Sequence, residues 1–233
     1  MFAIFKREIK AYFTSVMIYI YFAIFILFTT MFFIETSLKP GTAILSETFS
    51  ALFQCMIILV PLLTMRMFSE ERRVKTDQLL LTSPVKLRDV VMGKYCAAMF
   101  VFLLTALLTL VFTVIMAGFS AVEWPFYFCN LTGLILVGST FISIGLFIST
   151  LTESQIVAAL ITIAALFGWT IIEYFTSFNI PAVTKVVTYL SINVNYYDFT
   201  QGIYNIPSIV FFLSFSAAFL FLTLRGLEKR RWS

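Results

Sequence analysis

Few residues in this 233-residue chain could do covalent chemistry. It contains no histidine, which removes the commonest general base and the commonest metal ligand. Its three cysteines, Cys55, Cys96 and Cys129, fall in or beside apolar runs without a CxxC and read as small packing residues. Gly93-Lys94 resembles the end of a phosphate-binding loop but lacks both the upstream glycine and the following Ser or Thr. The one acid inside an apolar run is Glu173, in GWTIIEYF. Ionisable groups within a membrane are functional suspects. Glu173, however, lies roughly 27 Å along its helix from the cytoplasmic end at 1.5 Å per residue, near the outer interface. Charge gathers elsewhere: residues 67–94, MFSEERRVKTDQLLLTSPVKLRDVVMGK, hold ten of the 28 charged residues. There Leu79, Leu80 and Leu81 are ringed by both signs of charge, an apolar centre with a polar rim that suits docking. The same leucines could equally pack on the loop's own helices or lie on the membrane.

The elements that carry these residues are membrane helices. The chain is 61% hydrophobic and 12% charged, with mean hydropathy +0.98, about half the usual charge of a globular domain. A bilayer core of ~30 Å needs ~20 apolar residues per spanning helix. Six runs qualify: 16–34, 49–65, 96–118, 128–151, 156–178 and 208–224. The second is the weakest, with Gln54 near its start and Pro61 inside it. The first is too long for a cleavable signal peptide and is expected to remain as an anchor. Fourteen of the 16 basic residues lie before the first run, between the second and third, or after the sixth; only Lys39 and Lys185 do not. Positive charge marks the cytoplasmic side, so both termini and the charged loop are expected there. The net charge of +4 reflects this bias and does not imply a nucleic-acid partner.

Local patterns refine the picture. Residues 2–13 put Phe2, Phe5, Ile9, Tyr12 and Phe13 on one helical face, as expected of an interfacial helix over residues 1–15. Within the loop at 66–95, Ser69 is placed to cap a helix EERR, and Thr76 to cap a turn through DQLLLT. Ser83-Pro84 marks a restart that runs into the third span. The fourth span carries Gly133, Gly138, Ser139, Ser143, Gly145 and Ser149. Such spacing permits close backbone approach at a pathway wall or dimer seam, or ordinary packing within one chain. In LTESQ at 151–155, Thr152 and Gln155 have capping-box spacing, with Glu153 in the first turn of the fifth helix. Residues 179–205 are too polar to span and too apolar for a solvated loop, and read as a re-entrant or interface-bound hairpin capping a cavity.

The loop SEERRVKTDQLLLTSPVKLRDVVMGK resembles the cytoplasmic loop of ABC type-2 (ABC-2) transporter permeases. So do the turn ISTLTESQIVAA and the end LSFSAAFLFLTLRGLEKRRW, in order along nearly the whole chain. The nearest likeness is to six-span permeases of the gliding-motility type. Departures are Lys75, where relatives usually have Gly, Gln78, where they have Glu, and Asn195, where many have His. The resemblance implies a single all-α integral membrane domain over residues 1–233, with six transmembrane helices and a coupling helix between spans two and three. It implies a half-unit that pairs with a second permease half, identical or related, in the bacterial cytoplasmic membrane. ATP and Mg would then be held by a separate ABC ATPase and none on this chain. That ATPase would dock on Thr76, Asp77, Gln78, Leu79, Leu80, Leu81, Thr82, Ser83 and Pro84, supported by Glu70, Glu71, Arg72 and Arg73. Thr152, Glu153, Ser154 and Gln155 would make a second contact. An accessory extracytoplasmic subunit fits the same pattern, and Gly138, Ser139, Ser143, Gly145 and Glu173 are candidates for a pathway or dimer seam.

Three other classes compete. A scaffold in ATPase-driven motility or envelope machinery would bind the same motor and transport nothing. An ion-coupled transporter needs buried charges beyond Glu173, and inverted repeats or broken helices, which the sequence does not show. An intramembrane enzyme needs paired acids or an activated nucleophile within the spans, and none is present.

Overall fold

The computed structural model describes residues 1–39, 45–76, 86–119, 123–173 and 187–231. The described residues are helical, without strands. In chain order they form α1 (Phe2–Phe13), α2 (Val16–Phe33) with a wider π turn Ile34–Leu38 at its end, α3 (Ser46–Thr64) and α4 (Ser69–Arg73). After these come α5 (Leu87–Ala117), α6 (Trp124–Leu151), α7 (Gln155–Ile171), α8 (Ile192–Thr200) and α9 (Ile206–Arg231).

Five of the described helical segments are long and apolar enough to cross a bilayer: Val16–Leu38, Ser46–Arg73, Leu87–Ala117, Trp124–Leu151 and Ile206–Arg230. The chain is a multi-pass membrane protein. The fifth expected span is shorter as described. α7 has 17 residues, roughly 25 Å at 1.5 Å per residue, and the run expected to reach 178 passes outside the described residues after Glu173.

The bundle is built around α6, which packs against α3, α5, α7, α8 and α9. Its small residues make this possible. A methyl group on Gly138 would sit 2.2 Å from the Phe102 ring of α5, on Gly145 2.2 Å from Thr64 Oγ1 of α3, and on Gly133 2.6 Å from Phe199 of α8. Ser139 Oγ and Thr140 Oγ1 lie 3.1 and 3.2 Å from Ser216 Oγ of α9, and Thr140 also donates to the Phe212 carbonyl. Ser143 hands its hydroxyl back to the Thr140 carbonyl. Gly138, Ser139, Ser143 and Gly145 therefore lie buried inside a single chain's bundle.

The N-terminal helix forms over the expected residues, but its apolar face has a protein neighbour. Ile4 meets α5 where Gly93 leaves room, since a side chain there would come within 2.9 Å of it. Phe5 stacks edge-on against Phe100, and the Tyr12 hydroxyl donates to the Leu63 carbonyl at 3.0 Å. Burial, reinforced by the nearby Glu8 carboxylate, holds the Tyr12 phenol well above its ordinary pKa, so it keeps the proton it donates. Phe2 remains 77% exposed.

Candidate functional site: the charged junction

The charged residues of the loop stem converge with those of two distant segments. α4 begins one turn beyond α3, and Ser69 does not cap it as its sequence position suggests. Ser69 lies inside the helix and donates back to the Met65 carbonyl. The cap comes from Ser149, at the end of α6, whose Oγ accepts from the backbone N–H groups of Phe68 (3.0 Å) and Ser69 (3.1 Å). A buried helix start needs acceptors for its free N–H groups, and here the fourth span supplies one.

α4 ends in a Schellman turn: Lys75 N–H donates to the Arg72 carbonyl and Thr76 N–H to the Glu71 carbonyl. Lys75 is left-handed, with φ +59°. That conformation favours glycine. Thr76 folds its hydroxyl onto the Glu71 carbonyl. The expected docking residues Asp77, Gln78, Leu79, Leu80, Leu81, Thr82, Ser83 and Pro84 lie outside the described residues. The helix expected to run from Pro84 is described from Leu87.

Lys94 is the hub. Its side chain is 1% exposed, and its Nζ donates to the Met67 carbonyl (2.6 Å), Glu71 Oε1 (3.0 Å) and Glu8 Oε1 (3.2 Å). Three donors meet three acceptors, which is what a buried ammonium requires. Arg7 adds bonds to Glu8 (2.7 Å) and Glu71 (2.9 Å). Burial works against the Arg7 charge, but these two carboxylates more than offset it and hold its pKa above the ordinary value. α1, the root of the loop and the third span are thus tied through one ammonium. Arg66 extends the network: its Nε pairs with Glu70 at 3.2 Å and its Nη1 donates to Ser15 Oγ at the start of α2. A cavity of about 310 Å³ lies among Arg7, Glu8, Arg66, Glu70, Glu71 and Lys94. The second carboxylate oxygen of Glu71 is buried and has no hydrogen-bond partner among the described residues.

The 151–155 segment joins the same assembly. Arg72 Nη2 bonds Glu153 Oε1 at 2.9 Å, and its Nη1 donates to the Thr150 carbonyl at 3.2 Å. Thr152 does not open α7. It closes α6, donating to the Ile148 carbonyl, while Ser154 precedes the first residue of α7, Gln155. Glu153 is therefore outside the helix and free to reach Arg72. Arg73 is exposed at the end of α4.

Sequence reasoning found SEERR and LTESQ separately but missed Lys94, Glu8, Arg7 and Ser149 as members. The only signal for Lys94 was its place in the Gly-Lys pair closing the loop. At the opposite end, Glu173 accepts from Asn193 Nδ2 (2.8 Å) and Ser191 Oγ (3.5 Å), tying the end of α7 to α8. α8 folds onto the outer ends of the bundle: Tyr196 stacks on Phe53 at 4.7 Å and donates to the Phe49 carbonyl.

The sequence pattern of the ABC-2 family transporter protein matches residues 39–225. That match takes in the loop, the 151–155 turn, α3 to α8 and most of α9, but not α1, its Glu8 or α2. No curated protein matches the chain.

Proposed function

The chain belongs to the ABC-2 family of transporter proteins and is a membrane permease subunit of an ABC transporter; from that premise we propose that it is the half-unit of an exporter driven by a separate ATPase docked on its cytoplasmic loop. The docking surface is the segment Thr76–Pro84, carried by Glu70, Glu71, Arg72 and Arg73, with Thr152, Glu153, Ser154 and Gln155 as its flank. The ATPase holds ATP and Mg, and the assembly sits in a bacterial cytoplasmic membrane with both termini on the cytoplasmic side.

One observation carries this reading. The root of the loop is bolted to the third span and α1 by Lys94, and to the fourth span by Ser149 and by the Arg72 bond to the Thr150 carbonyl. A displacement imposed on the loop is then shared by several helices, because a buried ammonium bonded to three acceptors on different segments resists their separate movement. Hydrolysis on the partner would tilt this rigid junction and shift the bundle between inward- and outward-open forms.

The test is co-purification of the tagged chain with its cognate ABC ATPase, measuring ATP hydrolysis in reconstituted vesicles. Leu79→Glu, Leu80→Glu and Leu81→Glu combined should abolish both retention of the ATPase and its stimulation. Full retention and stimulation in this triple variant would overturn the docking assignment.

A further inference from the structure

The exposed side of α1 carries a ridge of one aromatic ring and two cations. Phe2, Lys6 and Lys10 stand four residues apart, so they line up along the helix, and all three are exposed. Lys6 and Lys10 pair with no carboxylate among the described residues, whereas Arg7, between them in sequence, is held by Glu8 and Glu71. Exposed apolar groups of two spanning helices flank the ridge. At one end the Phe2 ring lies 6.4 Å from that of Phe5, which meets Phe100 of α5, itself 40% exposed. At the other, Tyr19 of α2 donates its hydroxyl to the Phe13 carbonyl at 3.0 Å and leaves its ring exposed, as are Val16, Met17 and Ile20 of the same turns.

We propose that this ridge binds an anionic phospholipid surface, with Phe2 entering the acyl boundary and Lys6 and Lys10 meeting phosphate headgroups. Charge complementarity selects the occupant. The flanking apolar groups belong to membrane-crossing helices, which sets the ridge level with the edge of the hydrocarbon. There an aromatic ring is favourable, and a lysine lays its stem along apolar surface with its ammonium among the phosphates. A zwitterionic surface would serve Phe2 alone. Two ammonium groups one turn apart without carboxylate partners call for excess negative charge, worth roughly five-fold in affinity for each. The surface also has a route to the charged junction. Glu8, on the buried side of the same helix, accepts from Lys94, so lipid held at Lys6 and Lys10 fixes the helix that supplies one acceptor of the hub.

The test is native mass spectrometry of the full-length chain in detergent micelles doped with dioleoylphosphatidylglycerol or with dioleoylphosphatidylcholine. The unaltered chain should hold the anionic lipid at least about five-fold more tightly, and Lys6→Gln combined with Lys10→Gln should remove most of that preference. Lys6→Arg combined with Lys10→Arg should preserve it. Both pairs alter exposed side chains only and should elute on size exclusion as the unaltered chain does. Equal retention of the two lipids by the unaltered chain would leave the lysines to water and overturn the proposal. Full preference in the glutamine variant would overturn it as well, by placing the anionic lipid elsewhere. So would unchanged lipid preference with loss of a bound ABC ATPase in that variant, which would assign the ridge to an acidic protein surface.

Discussion

Lys94 Nζ lies 3.0 Å from Glu71 Oε1, although 23 positions separate the two residues and Lys94 is all but sealed from solvent. Removing one partner of a buried pair strands the other charge, typically at about 3–5 kcal/mol. Arg7 remains beside both carboxylates, so Lys94→Met should cost about 3 kcal/mol, near the lower end. The check is the melting midpoint of detergent-solubilised chain by size-exclusion fluorescence. Glu8→Gln keeps a hydrogen-bonding group and should cost about 1 kcal/mol.

Lys75 holds a left-handed backbone at the end of α4. A side chain there is disfavoured by about 1–2 kcal/mol relative to glycine. Lys75→Gly should therefore stabilise the chain by up to about 1 kcal/mol in the same assay, once glycine's greater unfolded-state freedom is subtracted. Lys75→Val, β-branched, should destabilise it.

Ser149→Ala removes the acceptor that serves two N–H groups at the start of α4. Loss of a helix cap costs about 1 kcal/mol. Because this cap joins the fourth span to the loop, the variant should also reduce ATPase stimulation by the permease while leaving ATPase retention intact. Hydrogen exchange over residues 68–76 should rise in parallel.

Small residues of α6 are filled by their neighbours. Gly138→Val would drive a side chain into the Phe102 ring and should cost about 1–3 kcal/mol through overpacking, seen as loss of monodisperse protein. Gly168→Ala, inside α7 where an added methyl group meets nothing within 4 Å, should instead stabilise the single chain by up to about 1 kcal/mol.

Much of this architecture was legible because hydrophobic period and charge sign are local properties. The helix at 2–13 and the apolar runs of the first four spans needed only neighbouring residues to be read. Ser69 and Thr152 show the limit. Each has the right type and spacing for an N-cap, yet a serine 80 positions away caps α4, and Thr152 closes the helix before it. Lys94 could not be recognised as a hub, since a lone lysine beside a span reads as an interfacial anchor until Glu8 and Glu71 are brought to it by the fold. Periodicity reveals which face is buried and is silent on what covers it.

The account stands or falls on what touches the loop and the 151–155 turn. The direct measurement is site-specific photo-cross-linking with p-benzoylphenylalanine at Leu80 and at Glu153, whose side chain is 72% exposed, in membranes that hold the chain and its ABC ATPase. Cross-links from both positions to the ATPase subunit are predicted, both lost when Leu79 and Leu81 are changed to glutamate. Adducts formed only within the chain or with lipid, in membranes where the ATPase is present and active, would contradict it.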